Sequence, residues 1–207
     1  MLAKVVASQL GAPSGVIGGW VLGPLWNRRN AALNDAALDA LDLQADDDVL
    51  EVGFGGGYLI ERMARIVTDG HLSGVDASQT MVSRCNRRFR SLARTRRVDL
   101  RCAPAEELPY PAARFDKAVS VNSLFYWSDP VRALSELNRV LRPAGRPVLC
   151  LTRKQGIEHK SFAGHGLALY EDDALSGLLE CAGFERVEVS HGRDRHREFL
   201  CLNATRP

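Results

Sequence analysis

No stretch of the 207 residues stays apolar for the roughly 18–20 positions that a membrane span requires. The most apolar region, residues 1–26 (MLAKVVASQL…GVIGGWVLGPLW), is interrupted by Gln9, Pro13 and several glycines. It also lacks the A-x-A-type cleavage pattern of a signal peptide. A surplus of one charge is missing too: the formal net charge of +2 gives the whole molecule no strong field to gather nucleic acid. Lysine is scarce beside arginine, which reads as a compositional bias rather than a binding device. Cysteine pairs are absent. Cys85, Cys102, Cys150, Cys181 and Cys201 are odd in number, scattered, and form no C-x-x-C. That pattern predicts reduced thiols in a cytoplasmic protein and speaks against a disulfide framework or a metal site.

What is present suits one α/β domain. The apolar fraction of 45% is enough for a real core, and the length leaves room for one domain with a small appendage. Residues 1–30 read as an arm or lid, and residues 31–207 as the domain. Residues 30–43 carry apolar positions at helical spacing (Leu33, Ala37, Leu38, Leu41). A strand follows at 49–52. After a glycine cluster, Leu59, Ile60, Met63, Ile66 and Val67 predict one helical face ending at Asp69-Gly70. A strand at 71–75 ends on Asp76. Ser78 can cap a helix that buries Met81, Val82, Cys85, Phe89 and Leu92. Strands are predicted at 98–102 and 116–121. Asp129-Pro130 opens a helix burying Val131, Leu134, Leu137, Val140 and Leu141, stopped by Pro143 and Gly145. A fifth strand reads 147–151, and a last helix, 172–182, meets Gly183 as its left-handed cap. Alternating segments 185–190 and 198–204 close the chain as a hairpin. Strands alternating with helices imply a doubly wound, mostly parallel sheet, and the terminal pair, with no helix between, requires an antiparallel strand.

In open α/β sheets ligands sit beyond the carboxyl ends of the strands. Three such ends stand out here: Gly53, Gly55, Gly56 and Gly57 after the first strand, Asp76 after the second, and Asn122-Ser123 after the fourth. Glycines allow a sharp turn and close approach to a ligand, and a carboxylate like that of Asp76 can accept from both hydroxyls of a ribose. No Lys follows the glycines, so a triphosphate cradle is excluded. The dinucleotide fingerprint G-x-G-x-x-G/A fails at Tyr58 counted from Gly53 and at Ile60 counted from Gly55. The pattern present is E-x-G-x-G-x-G, with Glu51 two positions before Gly53. Plainer readings stay open: Asp76 as a helix-N-terminal carboxylate, Glu51 as a structural buried acid, and Asn122 and Ser123 as turn caps.

VLEVGFGGG, GVDAS, PAEELPYPAARFDKAVSVNSLFYW and LRPAGR, in this order and spacing, resemble the class I S-adenosylmethionine-dependent methyltransferases. The nearest resemblance is to the methyltransferase type 11 group related to ubiquinone and menaquinone biosynthesis. It implies a Rossmann-like seven-stranded sheet, mostly parallel with an antiparallel C-terminal strand, and S-adenosylmethionine as cofactor with S-adenosylhomocysteine as product. By the same resemblance Glu51 and the backbone of Gly53, Gly55 and Gly57 hold the methionine end, and Asp76 takes the ribose hydroxyls. Ala77 packs near the adenine, the Ala105-Glu106 turn faces its edge, and Asn122 offers its carbonyl to the cofactor amino group. One departure is Pro104, where the family often carries an Asp that accepts from the adenine amino group.

The acceptor is far less legible. Candidate bases are His159, His165 and Tyr126, none in a catalytic motif, and no spacing supports a metal ligand set. The short stretch 152–171 leaves the arm to close over a small or lipophilic organic acceptor. The arginine-rich run 84–101 reads as a solvated helix face rather than a nucleic-acid surface. A cofactor-binding protein without transferase activity, acting as a partner subunit, remains an alternative, as does methylation of RNA or protein. A homodimer is compatible with either.

Overall fold

The computed structural model describes residues 30–158, 167–195 and 197–207. Among these, seven strands form one sheet: β1 (Asp48–Val52), β2 (His71–Asp76), β3 (Val98–Cys102), β4 (Phe115–Val121), β5 (Leu141–Thr152), β6 (Glu185–Arg193) and β7 (Glu198–Thr205), in the order β3-β2-β1-β4-β5-β7-β6. β1 pairs in parallel with β2 and β4, β2 with β3, and β4 with β5. β7 runs antiparallel to both β5 and β6. The doubly wound architecture expected from the alternation of elements is the one found.

Central strands read as apolar runs because both of their faces are covered. In β1, Val49 belongs to the core under helix α1 (Ala31–Leu41) and helix α2 (Tyr58–Met63), whereas Leu50 and Val52 join the core on the opposite face. Helix α3 (Gln79–Arg88) buries Met81, Val82 and Cys85, and Ser78 caps it by accepting from Met81 N at 3.4 Å. A short α4 (Arg90–Arg94) follows. Helix α5 (Pro130–Val140) starts with Asp129 accepting from Arg132 N at 3.0 Å, and helix α6 (Asp172–Cys181) is followed by Gly183 at φ +84°.

Four expectations need correction. α2 stops at Met63, leaving Ile66 42% exposed, and the Arg97 guanidinium satisfies the Ala64 and Val67 carbonyls of the turn that follows, at 2.9 and 2.6 Å. The third expected helix breaks at Phe89, between α3 and α4, and the Phe89 ring turns into the core. Val131 is 39% exposed: at 100° per residue it lies roughly 120° around α5 from Leu137, outside the stripe of Ala133, Leu134, Leu137 and Val140. Finally, the cysteines are not all free. Cys150 on β5 and Cys201 on β7 are register partners, and their side chains are joined as a buried disulfide, while Cys85, Cys102 and Cys181 remain thiols. Sequence reading missed the pair because the residues are 51 positions apart and only the β5–β7 register brings them face to face.

Candidate cofactor site

Beyond β1 the chain turns through glycines that do different jobs. Gly53, Gly55 and Gly57 all have positive φ (+79°, +50° and +72°). A Cβ on Gly53 would lie 2.4 Å from Ser123 Cβ, and one on Gly57 2.6 Å from the Phe89 ring. Those two glycines are needed for packing within the protein. A Cβ on Gly55 would meet nothing within 4 Å, so this glycine faces open space. The turn is held by Gly53 N donating to Val75 O (2.8 Å) and Gly57 N donating to Phe54 O (2.8 Å).

Two carboxylates lie under this turn. Asp76, at the tip of β2, is buried, and each of its oxygens accepts a backbone N–H, Oδ2 from Gly55 and Oδ1 from Ser78, both at 2.8 Å. Burial still holds its pKa above the ordinary value, against those two bonds. Glu51 is only 4% exposed, and its Oε2 has no hydrogen-bond partner. Burial first, and the neighbouring Asp76 charge second, push its pKa up to about 8. A buried carboxylate oxygen without a donor is costly.

The tip of β4 completes the arrangement. Asn122 sits at φ +54°, its N–H bonded to Cys150 O, its Oδ1 accepting from Thr152 N (2.7 Å) and its Nδ2 donating to Asn30 Oδ1 (3.3 Å). Ser123 donates to Val52 O (3.1 Å) and accepts from Trp127 Nε1 (3.1 Å), locking the start of the following turn beneath Gly53. Ala77 is exposed next to Asp76, and Ala105 is buried in the loop after β3, where Ala103 N donates to Asp76 O.

Glu51, the glycines, Asp76, Ala77, Ala105 and Asn122 thus come from four separate segments to the carboxyl end of the sheet. Glu106 differs. Its Oε1 accepts from Ser128 N, Ser128 Oγ and Asp129 N, which ties the loop to the start of α5. Tyr126 is half-buried in a short turn, and burial pushes its pKa up to about 12, which keeps the phenol protonated near neutrality. His159 and His165 lie outside the described residues, as do residues 1–29 of the arm. Cys85 and Arg88, which touch the glycine turn from α3, carried no sequence signal beyond helical spacing and an arginine-rich run.

Residues 50–149 match the methyltransferase domain family. An uncharacterized methyltransferase of Bacillus subtilis (strain 168), YdaC, is 27% identical over 188 residues, which make up 90% of this chain and 98% of that protein. The 27-O-demethylrifamycin SV methyltransferase of Amycolatopsis mediterranei (strain S699) is 34% identical over 131 residues, covering 60% of this chain but only 48% of its own length. Among solved structures, a SAM-dependent methyltransferase from Aquifex aeolicus superposes with a TM-score of 0.73 at 19% identity, over 99% of this chain and 98% of that one, a likeness of fold.

Proposed function

The chain is a class I S-adenosylmethionine-dependent methyltransferase, and from that premise we propose that its acceptor is a small, largely apolar organic molecule. The observation that carries this reading is the surface just past Asn122. There Tyr126, Ile157, Leu167, Leu169 and Tyr170 are partly buried against the core that includes Phe125, and Ala168 N donates to Phe125 O (3.0 Å). Such a surface suits an apolar acceptor better than a polyanion. The name of the rifamycin methyltransferase, a relative acting on a small molecule, points the same way.

Bound S-adenosylmethionine supplies an electrophilic methyl on a sulfonium, and the protein's task is alignment. Holding both reactants in place can contribute several of the roughly 7–11 kcal/mol that orientation makes available. In this reading Glu51 Oε2 receives the ammonium of the methionine end, a group that matches an orphaned buried acceptor. The Gly53, Gly55 and Gly57 backbone lines that end, and Asp76 keeps further lone pairs for the ribose hydroxyls. Ala77 and Ala105 flank the adenine, Glu106 contributes backbone only, and the Asn122 carbonyl faces the cofactor amino group. Tyr126 shapes the acceptor wall and does not act as the base.

A role for residues 1–30 in acceptor binding belongs to the same proposal, and the place of residue 30 motivates it: Asn30 Oδ1 accepts from Asn122 Nδ2 and Arg197 Nη2, next to the tip of β4. Deletion of residues 2–26 is expected to raise the acceptor KM while leaving S-adenosylhomocysteine affinity intact, and unchanged turnover would retire the idea. The acceptor class is tested by transfer of radiolabelled methyl into cell extract fractionated into metabolites, RNA and protein. Label in the metabolite fraction supports the reading, and label confined to RNA or protein overturns it.

A further inference from the structure

The arginine-rich run does not act as one surface. Arg97 serves the end of α2, and Arg101 bonds to Asp99 and to Pro109 O, but Arg88 reaches into the glycine turn. Its Nη1 donates to Gly56 O at 2.8 Å, and its Nη2 pairs with Glu61 on α2, the helix that the turn opens. One turn earlier on α3, the Cys85 thiol donates to Gly55 O at 3.5 Å. Gly57 sits against the same face, since a Cβ there would run into Phe89 and lie 3.0 Å from Cys85 Sγ.

These contacts fix directions. In a trans peptide the C=O and the next N–H point opposite ways. With the Gly55 carbonyl drawn toward α3, the Gly56 N–H must point away from that helix. Arg88 holds the following peptide plane in the same sense. A glycine pair has wide backbone freedom of its own, so the direction of these groups comes from α3 rather than from the turn. The task needs an arginine: one planar fork serves a carbonyl and a carboxylate at once, and an ammonium on a flexible stem does so less well.

We propose that Arg88 is a positioning residue for the cofactor, clamping the Gly56 carbonyl so that the glycine-turn amides face the ligand. The proposal rests on the cofactor reading given above. It acts through Gly56, without Arg88 touching the ligand, and Cys85 assists from the adjacent peptide.

The test uses the full chain, with S-adenosylhomocysteine as probe, in calorimetry, donor kinetics and amide hydrogen exchange. Arg88→Ala is expected to weaken S-adenosylhomocysteine binding and raise the donor KM by about tenfold, the effect of one charge-assisted hydrogen bond. At saturating donor kcat should hold. Exchange at Gly55–Gly57 in the ligand-free protein should speed up, while the melting temperature moves little, because the Arg88 side chain is 40% exposed. Arg88→Lys should restore part of the affinity. Glu61→Gln, which leaves the Gly56 bond in place, should cost clearly less than Arg88→Ala. Wild-type affinity and unchanged glycine exchange in Arg88→Ala overturn the proposal, as does an affinity loss matched by Glu61→Gln. A wild-type protein that binds neither S-adenosylmethionine nor S-adenosylhomocysteine overturns the cofactor reading itself, and the role of Arg88 with it.

Discussion

Glu51 makes the ligand-free protein less stable once it ionises. In the unfolded chain it ionises near 4.5, whereas burial and then Asp76 hold its proton in the folded state up to about 8. Between those values the folded state binds a proton that the unfolded state does not, so stability from this group falls as pH rises, by about 1.4 kcal/mol per unit, and levels off above about 8. Glu51→Gln is therefore expected to raise the melting temperature of ligand-free protein at pH 8 and not at pH 4.5, while weakening S-adenosylhomocysteine. Melting curves at both pH values, with and without that ligand, check this. A second contrast lies within the glycines. Gly55→Ala meets no atom of the protein, so it should fold with a penalty of roughly 1–2 kcal/mol for its left-handed φ and lose cofactor affinity. Gly53→Ala drives a methyl into Ser123 and should lose stability first. Denaturant melts paired with calorimetry separate the two. At this scale the sequence revealed where Glu51, Asp76 and Asn122 sit, because strand ends are legible. It did not reveal that Asp76 is held by Gly55 N or that Glu106 turns to Ser128, since both depend on how distant loops meet.

Elements were legible where one period dominates. β3 matched its expected bounds, and the caps at Ser78, Asp129 and Gly183 lie where the residue types put them. Helix lengths were less legible, because the turn after α2 takes its carbonyl partner from Arg97, 34 positions beyond Met63 and invisible to local pattern. The β5–β7 pairing is the other hidden feature, and the Cys150–Cys201 bond depends on it. Closing a loop across 51 positions is worth about 4 kcal/mol by chain entropy, so Cys201→Ser should lower the melting temperature, and a reductant should lower that of wild type to a similar value. Thermal melts of both proteins with and without dithiothreitol check it. A wild-type melt that ignores reductant, together with a harmless substitution, would contradict the assignment.

At the scale of the whole molecule, the alternation of strands and helices was enough to give a doubly wound sheet with an antiparallel strand. The order along the far edge was not, because a hairpin can add to a sheet by either arm. Here the later arm goes inside: β7 lies between β5 and β6. It contributes Leu200, Leu202 and Ala204 to one core and Phe199 and Cys201 to the other. Removing residues 198–207 should therefore abolish cooperative unfolding altogether rather than trim an edge, as soluble yield and a thermal scan by circular dichroism will show. The same insertion separates the order of synthesis from the order of assembly. β6 leaves the ribosome with no strand to join and must wait for β7. The 185–205 segment then closes locally before it zips onto β5, which makes that docking a late, non-local step and leaves the edge of β5 open to wrong partners until it is done.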